Sequence, residues 1–391
     1  MNYSLLWKPK RLARSISNRF ARWVEMRRAI DISEKRFKND PNYRLDLVQD
    51  DFAPRLGDVQ DDSEIIERII RAYKKAKVDQ LSAGEAFNVS NEWLPIYEKN
   101  LVSMMRALSS ENVDELQRMY QNFFRDPCSM GLVGLPVNML KVFLDGKIDE
   151  KYKKYALADS LHRHDLWKKR TNYKYPIETL SSPLVGNPYG YTISGVFVRS
   201  GADYHHYYAQ EIQQLLNSTR NNTVIELGGG FGGHAYFLLC DRPDITYFDF
   251  DLPETLALAS YYLLKTLPNR HITLYGEAES LSEPFGSPGI FMMPSFEIMK
   301  LRAKSVAVSF NSYSLAEMSP QAIHTYIEQI ARITNGYFLH INHNRNAVLG
   351  ADDFGIKNYK FKCVRRKLAE WTLGINPNSD EFEYLYVDES S

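Results

Sequence analysis

The run Glu226-Leu227-Gly228-Gly229-Gly230-Phe231-Gly232-Gly233 limits the possible folds of this chain more than any other feature. Before it, Val224-Ile225-Glu226-Leu227 is a short apolar stretch bounded by Asn221-Asn222, and reads as a buried strand. The glycines behind it let the backbone turn tightly and let a ligand approach the main chain. Ala235–Leu239 suits the opening of a helix, and Ile245–Phe248 a second strand. The alternation continues with a helix over Glu254–Leu267 and a strand over Ile272–Tyr275. Two further strands, Val306–Phe310 and Tyr337–Ile341, flank a helix over Pro320–Ile333. Strands that alternate with helices point to a parallel sheet covered on both faces, an α/β domain over residues 180–391.

Residues 1–175 read differently. Ser63-Glu64 followed by Ile65, Ile66, Ile69, Ile70 and Tyr73 predicts a capped amphipathic helix. Helical periods recur over 91–108, 113–124, 137–143 and 150–170, whereas Asp40–Gln60, with Pro41, Pro54 and Gly57, reads as a linker. This half is a mostly helical N-terminal domain without a catalytic constellation, suited to walling a cleft or forming a homo-oligomer interface. Within its first thirty residues, eight basic residues between Lys8 and Arg28 accompany Leu12, Ile16, Phe20, Trp23 and Met26 on one helical face. Such a helix either packs on its own protein or lies on an anionic membrane surface, here through residues 8–28.

Charge excludes one class of partner. Forty-eight Lys and Arg balance forty-eight Asp and Glu, so no basic excess marks a nucleic-acid binder. Cys128, Cys240 and Cys363 are scattered without metal-ligand spacing, as in a protein of a reducing compartment. No stretch reaches the roughly 18 apolar residues of a membrane span, so the expected location is cytoplasmic, peripheral at most to the inner face of a membrane.

The glycine run supports two chemical readings. Gly228, Gly230 and Gly233 match the G-x-G-x-x-G spacing of dinucleotide sites. Glu226 with Gly228, Gly230 and Gly232 matches E-x-G-x-G-x-G instead, and an acid there repels a pyrophosphate but suits a ligand carrying a positive amino group. Asp251 follows Gly232 by nineteen residues, at the end of the second strand, where a carboxylate accepts ribose hydroxyls. Asp249 points the same way and is placed to bond a backbone turn.

Glu226–Gly233 followed by Phe250-Asp251-Leu252-Pro253-Glu254 resembles the class I S-adenosylmethionine (SAM)-dependent methyltransferases. The resemblance extends to sugar O-methyltransferases through Gly186-Asn187-Pro188-Tyr189-Gly190, Tyr204-His205-His206-Tyr207-Tyr208-Ala209 and Asn311–Met318, and covers roughly residues 180–345. It implies a Rossmann-like, doubly wound, seven-stranded sheet with SAM across the strands' carboxyl ends. Gly228, Gly230 and Gly232 would line the methionine part, with Glu226 near its ammonium. Asp251 would hold the ribose, Leu252 would flank the adenine, and Glu277 would lie where such enzymes grip that ring. The implied reaction is methyl transfer to a sugar hydroxyl in polysaccharide or glycolipid biosynthesis.

A sugar hydroxyl is a weak nucleophile, so a base helps to remove its proton. His343 and Glu317 are rival candidates at the carboxyl ends of the fifth and fourth strands. In related plant-type enzymes a histidine base follows strand four; here that place is held by Asn311, which cannot take a proton. His205 and His206 are candidates for the acceptor pocket, and His340, inside a strand, reads as a core residue. The tyrosines between Tyr173 and Tyr208 suit either stacking on sugar rings or packing. No metal is called for. A nicotinamide-dependent oxidoreductase and a non-catalytic scaffold of the same fold are the alternatives.

Overall fold

Each half of the chain folds from its own periodicity, and the two halves share one core. The computed structural model describes residues 48–55, 60–89, 93–133, 150–277, 288–344, 348–373 and 379–389, with Phe20, Trp23, Val24, Arg27, Arg28 and Asp31. Among them, β1 (Val48–Asp51), β2 (Gly190–Ile193) and β3 (Val196–Arg199) form a small antiparallel sheet, so part of the stretch read as a linker is a strand. Ser194 and Gly195, both at positive φ, join β2 to β3 as a two-residue hairpin turn.

The N-terminal helices are α1 (Ser63–Gln80), α2 (Val102–Ser109), α3 (Val113–Tyr120) and α4 (Glu150–Arg170). Ile66, Ile69, Ile70 and Tyr73 of α1 are buried, as the stripe requires. Its expected serine cap is absent: Ser63 is already helical, and Asp62 before it turns inward to Lys265 (2.6 Å) and Tyr261 (2.8 Å). The expected helix at 137–143 lies outside the described residues.

The C-terminal half contains α5 (Ala202–Leu216), α6 (Gly233–Asp241), α7 (Pro253–Thr266) and α8 (Pro320–Ile333) around one sheet. Its strands are β4 (Thr223–Leu227), β5 (Thr246–Asp251), β6 (Ile272–Leu274), β7 (Ile290–Pro294), β8 (Val306–Ser312), β9 (Thr334–His343), β10 (Phe361–Leu368) and β11 (Glu381–Asp388). They lie in the order β10-β11-β9-β8-β4-β5-β7-β6. β6 through β9 and β4–β5 pair in parallel wherever they are neighbours, and β11 runs antiparallel to β9. This is a Rossmann-like α/β fold whose strand order reverses between β4 and β8, where such sheets open a crevice.

The sheet has eight strands rather than seven. The addition is β7, Ile290-Phe291-Met292-Met293-Pro294, inserted between β5 and β6. All five residues are buried, as expected of an interior parallel strand covered on both faces. One face of the sheet (Val224, Tyr247, Phe310) packs with α7 and with Ile66, Leu108 and Leu116 of the N-terminal half. The other (Ile225, Phe248, Phe338) packs against Ile323 and Ile327 of α8. Among the described residues no helix is long and apolar enough to cross a membrane. Most of segment 8–28, with its expected membrane contact, lies outside them.

Candidate functional site

β4 ends at Leu227, and the chain reverses into α6 through Gly228–Gly232. Gly228 has φ +78°, and a Cβ there would stand 2.3 Å from Ser314 Oγ, so no other residue fits this turn undisturbed. The turn is held from below by β5. Asp249 Oδ1 accepts from Gly229 N (3.2 Å), and Asp251 Oδ2 accepts from Gly230 N (3.2 Å). Asp251 Oδ1 also accepts from Leu252 N at 2.7 Å. Burial pushes both carboxyls up from the usual carboxylate range; the Asp251 and Glu226 charges add to the rise at Asp249.

Above this turn lies a cavity of about 380 Å³. One end is lined by Gly228, Gly229, Gly230, Asp251, Leu252 and Thr255. The other is polar: Asp159 and Arg163 from α4, Tyr204 and His205 from α5, Tyr313 after β8, and Glu381 at the start of β11. Arg163 Nε donates to Asp159 Oδ2 at 3.0 Å, and the Tyr313 hydroxyl donates to Glu381 Oε2 at 3.0 Å. Burial alone would lower the Arg163 guanidinium, but the Asp159 and Glu381 charges outweigh it and hold its pKa up. Tyr313 sits at φ +66°, ψ −34°, a conformation strained for a non-glycine residue, and donates its N–H to Ile341 O at 2.7 Å. Burial, then Tyr204 and Glu381, keep its phenol protonated far above its ordinary range.

Several residues singled out from the sequence stand elsewhere. Glu226 is 1% exposed beneath the turn, where it accepts from the Tyr247 hydroxyl and lies 3.1 Å from His234 Nδ1. Gly232 packs on Leu263 and opens α6 instead of lining the cavity. Glu277 accepts from Arg68 of α1 (2.5 and 2.7 Å) and from Leu274 N (2.7 Å), on the outside of the sheet edge. Asn311 is wholly buried: its amide donates to Leu227 O (2.8 Å) and Ser314 Oγ (2.6 Å), and its carbonyl accepts from Asn342 (2.8 Å). It braces the end of β4. His343 ends β9 half-buried, opposite Glu381, and is not part of the described lining.

Of the two adjacent histidines, His205 rather than His206 borders the cavity. His206 Nδ1 accepts from Trp167 Nε1 (3.1 Å) in the core, and burial pushes its pKa down to about 4. His205 Nδ1 lies 2.7 Å from Arg199, which can only donate, so the ring is neutral with its hydrogen on Nε2. Burial first, then His234 and Arg199, hold its pKa well below the usual range. It is a hydrogen-bond donor there and not a base. His340 is fully buried, stacked 4.6 Å from Tyr384. Glu317 does border the cavity, accepting from Trp93 Nε1 at 2.8 Å. Among the tyrosines, Tyr189, Tyr191, Tyr207 and Tyr208 are core residues, while Tyr204 reaches the cavity.

No family model and no curated protein sequence matches this chain. Among solved structures it is similar to magnesium protoporphyrin IX methyltransferase ChlM from Synechocystis PCC 6803 with bound SAM. That likeness has a TM-score of 0.35 and 12% identity, covering 48% of this chain and 81% of that one. The N-methyltransferase NodS from Bradyrhizobium japonicum WM9 is similar with a TM-score of 0.32 and 13% identity, over 46% of this chain and 86% of its own. The glycopeptide N-methyltransferase MtfA gives a TM-score of 0.32, 12% identity, and 46% and 86% coverage.

Asp159, Arg163 and Glu381 were not among the sequence candidates. One signal was available for the first pair: Asp159 and Arg163 are four apart on a helix, the spacing at which side chains meet. Among the described residues, no group of three His, Cys, Asp or Glu side chains is placed to hold a metal ion.

Proposed function

We propose that this protein is a SAM-dependent methyltransferase that transfers a methyl group to a sugar hydroxyl in polysaccharide or glycolipid biosynthesis. The reading is carried by one observation: a single cavity joins the glycine turn and Asp251 to the cluster of Arg163, Tyr313 and Glu381. The residues present fit the cofactor. Gly228 and Gly230 leave main chain bare for its amino-acid part, and Asp251 lies where ribose hydroxyls are accepted. A carboxylate has about four lone-pair sites, so its two backbone bonds leave room for a ribose. SAM supplies an electrophilic methyl on a sulfonium, and Asp251 and Glu317 along the lining favour a cationic ligand over a diphosphate. The protein's own task is then to hold an acceptor hydroxyl in line with that methyl and to keep water out. Tyr204, Tyr313 and their polar neighbours supply both a flat apolar surface and hydrogen-bonding partners, which suits a carbohydrate.

Calorimetric titration tests the cofactor: S-adenosylhomocysteine binds and NAD does not. Tight NAD binding would instead establish the oxidoreductase. Mass spectrometry of surface glycan from cells with and without the gene tests the acceptor, with loss of one methyl increment expected on a single sugar.

A further inference from the structure

We propose that the polar end of the cavity takes an uncharged, polyhydroxylated ring, and that Glu381 is the base that receives the proton of the methylated hydroxyl. This rests on the methyl-transfer reading above. A sugar hydroxyl donates a hydrogen bond and needs an acceptor, and this end presents acceptors in excess. Asp159 Oδ1 is buried without a partner among the described residues. Glu381 uses Oε2 for the Tyr313 hydroxyl. The cation that lines this end among the described residues is Arg163, and its charge is already matched by Asp159 at 3.0 Å. A phosphate or uronate entering here meets two carboxylates and a guanidinium that is already paired. A neutral ring meets lone pairs for its hydroxyls and the Arg163 fork for its oxygens.

Four carboxylates line the cavity; Asp251 is bonded to the glycine turn, and the partners of the other three separate their roles. Asp159 is committed through Oδ2 to the Arg163 guanidinium at 3.0 Å. Glu317 is engaged by the Trp93 indole. Glu381 is held through Oε2 by a neutral phenol, which sets the direction of its carboxyl and leaves Oε1 for an acceptor hydroxyl. Tyr313 makes this possible through its strained turn, which brings the phenol back over the end of β8 to meet the first residue of β11. Tyr313 is therefore the positioning residue. In the reaction, the acceptor oxygen bonds to the methyl carbon and the carbon–sulfur bond breaks, with its electron pair going to sulfur. The hydroxyl proton passes to Glu381.

The test uses the full chain loaded with S-adenosylhomocysteine and a panel of probes: methyl glycosides of glucose, galactose, mannose, rhamnose and fucose, against glucuronate and glucose 6-phosphate. Saturation-transfer NMR is expected to detect at least one neutral glycoside, with the two anionic sugars weaker by about tenfold or more. Asp159→Asn weakens that glycoside. Glu381→Gln keeps S-adenosylhomocysteine affinity but lowers kcat for its methylation by about a hundredfold or more at similar KM. Tyr313→Phe shifts the pH profile of kcat. Absence of binding by every neutral glycoside, equal or tighter binding of an anionic sugar, or undiminished turnover in Glu381→Gln overturns the proposal. If S-adenosylhomocysteine itself does not bind, the methyl-transfer reading fails separately, and the preference between neutral and anionic sugars is still measured on the unloaded protein.

Discussion

Replacing Asp249 by asparagine should stabilise this protein, and by an amount that grows with pH. The carboxyl is wholly buried; Oδ1 accepts from Gly229 N, and Oδ2 has no partner among the described residues. Burial, with the Asp251 and Glu226 charges adding to it, raises its pKa well above 3.8. The native state therefore holds a proton that the unfolded chain releases. Stability from this group is fully present below the unfolded pKa and is lost as pH rises toward the folded one. The loss is about 1.4 kcal/mol for each pH unit over which the native carboxyl stays protonated. Asparagine keeps the shape and the acceptor for Gly229 N but has nothing to ionise. Asp251 is present in both proteins, so its own raised pKa cancels to first order. Between about pH 5 and about pH 6.5, the stability gap between Asp249→Asn and the parent should widen, by up to about 2 kcal/mol if the native carboxyl stays protonated throughout. Urea denaturation of both proteins at the two pH values measures it. An equal gap at both would mean that Asp249 ionises freely in the fold, and the account of how β5 supports the glycine turn would be wrong.

Gly228→Ala places a Cβ 2.3 Å from Ser314 Oγ at φ +78°. The left-handed strain alone is about 1–2 kcal/mol, so S-adenosylhomocysteine affinity should fall about tenfold or more by calorimetry. Unchanged affinity would remove the turn from the binding site. Asn311→Ala removes one of two donors from Leu227 O and the carbonyl that accepts from Asn342, all in a buried site, and should lower stability by about 1–3 kcal/mol in a denaturant melt. A variant as stable as the parent would contradict the bracing role. Glu277→Gln breaks a pair with Arg68 whose side chains are 34% and 31% exposed. It should change stability by less than about 1 kcal/mol and leave cofactor affinity within about twofold. A large loss of affinity would return Glu277 to the ligand.

Local sequence determined the elements. Pro320–Ile333 reads as a helix from its period and is one from end to end, and the apolar run ahead of the glycines is β4. Two carboxylates two residues apart on β5 were legible as a pair facing one way, and they hold neighbouring amides of the turn. β7 escaped because five apolar residues carry no periodicity of their own, and only its place between β5 and β6 makes it a strand.

Tertiary structure decided which side chains line the cavity. His205 and His206 are neighbours in sequence, but about 100° of helical rotation sends one to the cavity and the other into the core against Trp167. The parallel strands bring their last residues to the active rim, so reading along the chain favours His343. The antiparallel β11 brings its first residue there, and Glu381 stands directly opposite His343 across the ladder. Asp159 and Arg163 come from a helix more than sixty residues ahead of the glycine turn, and no local pattern ties the two together. Periodicity and turn chemistry act over a few residues, whereas a cavity is made where distant segments converge, so its polar end is set by packing.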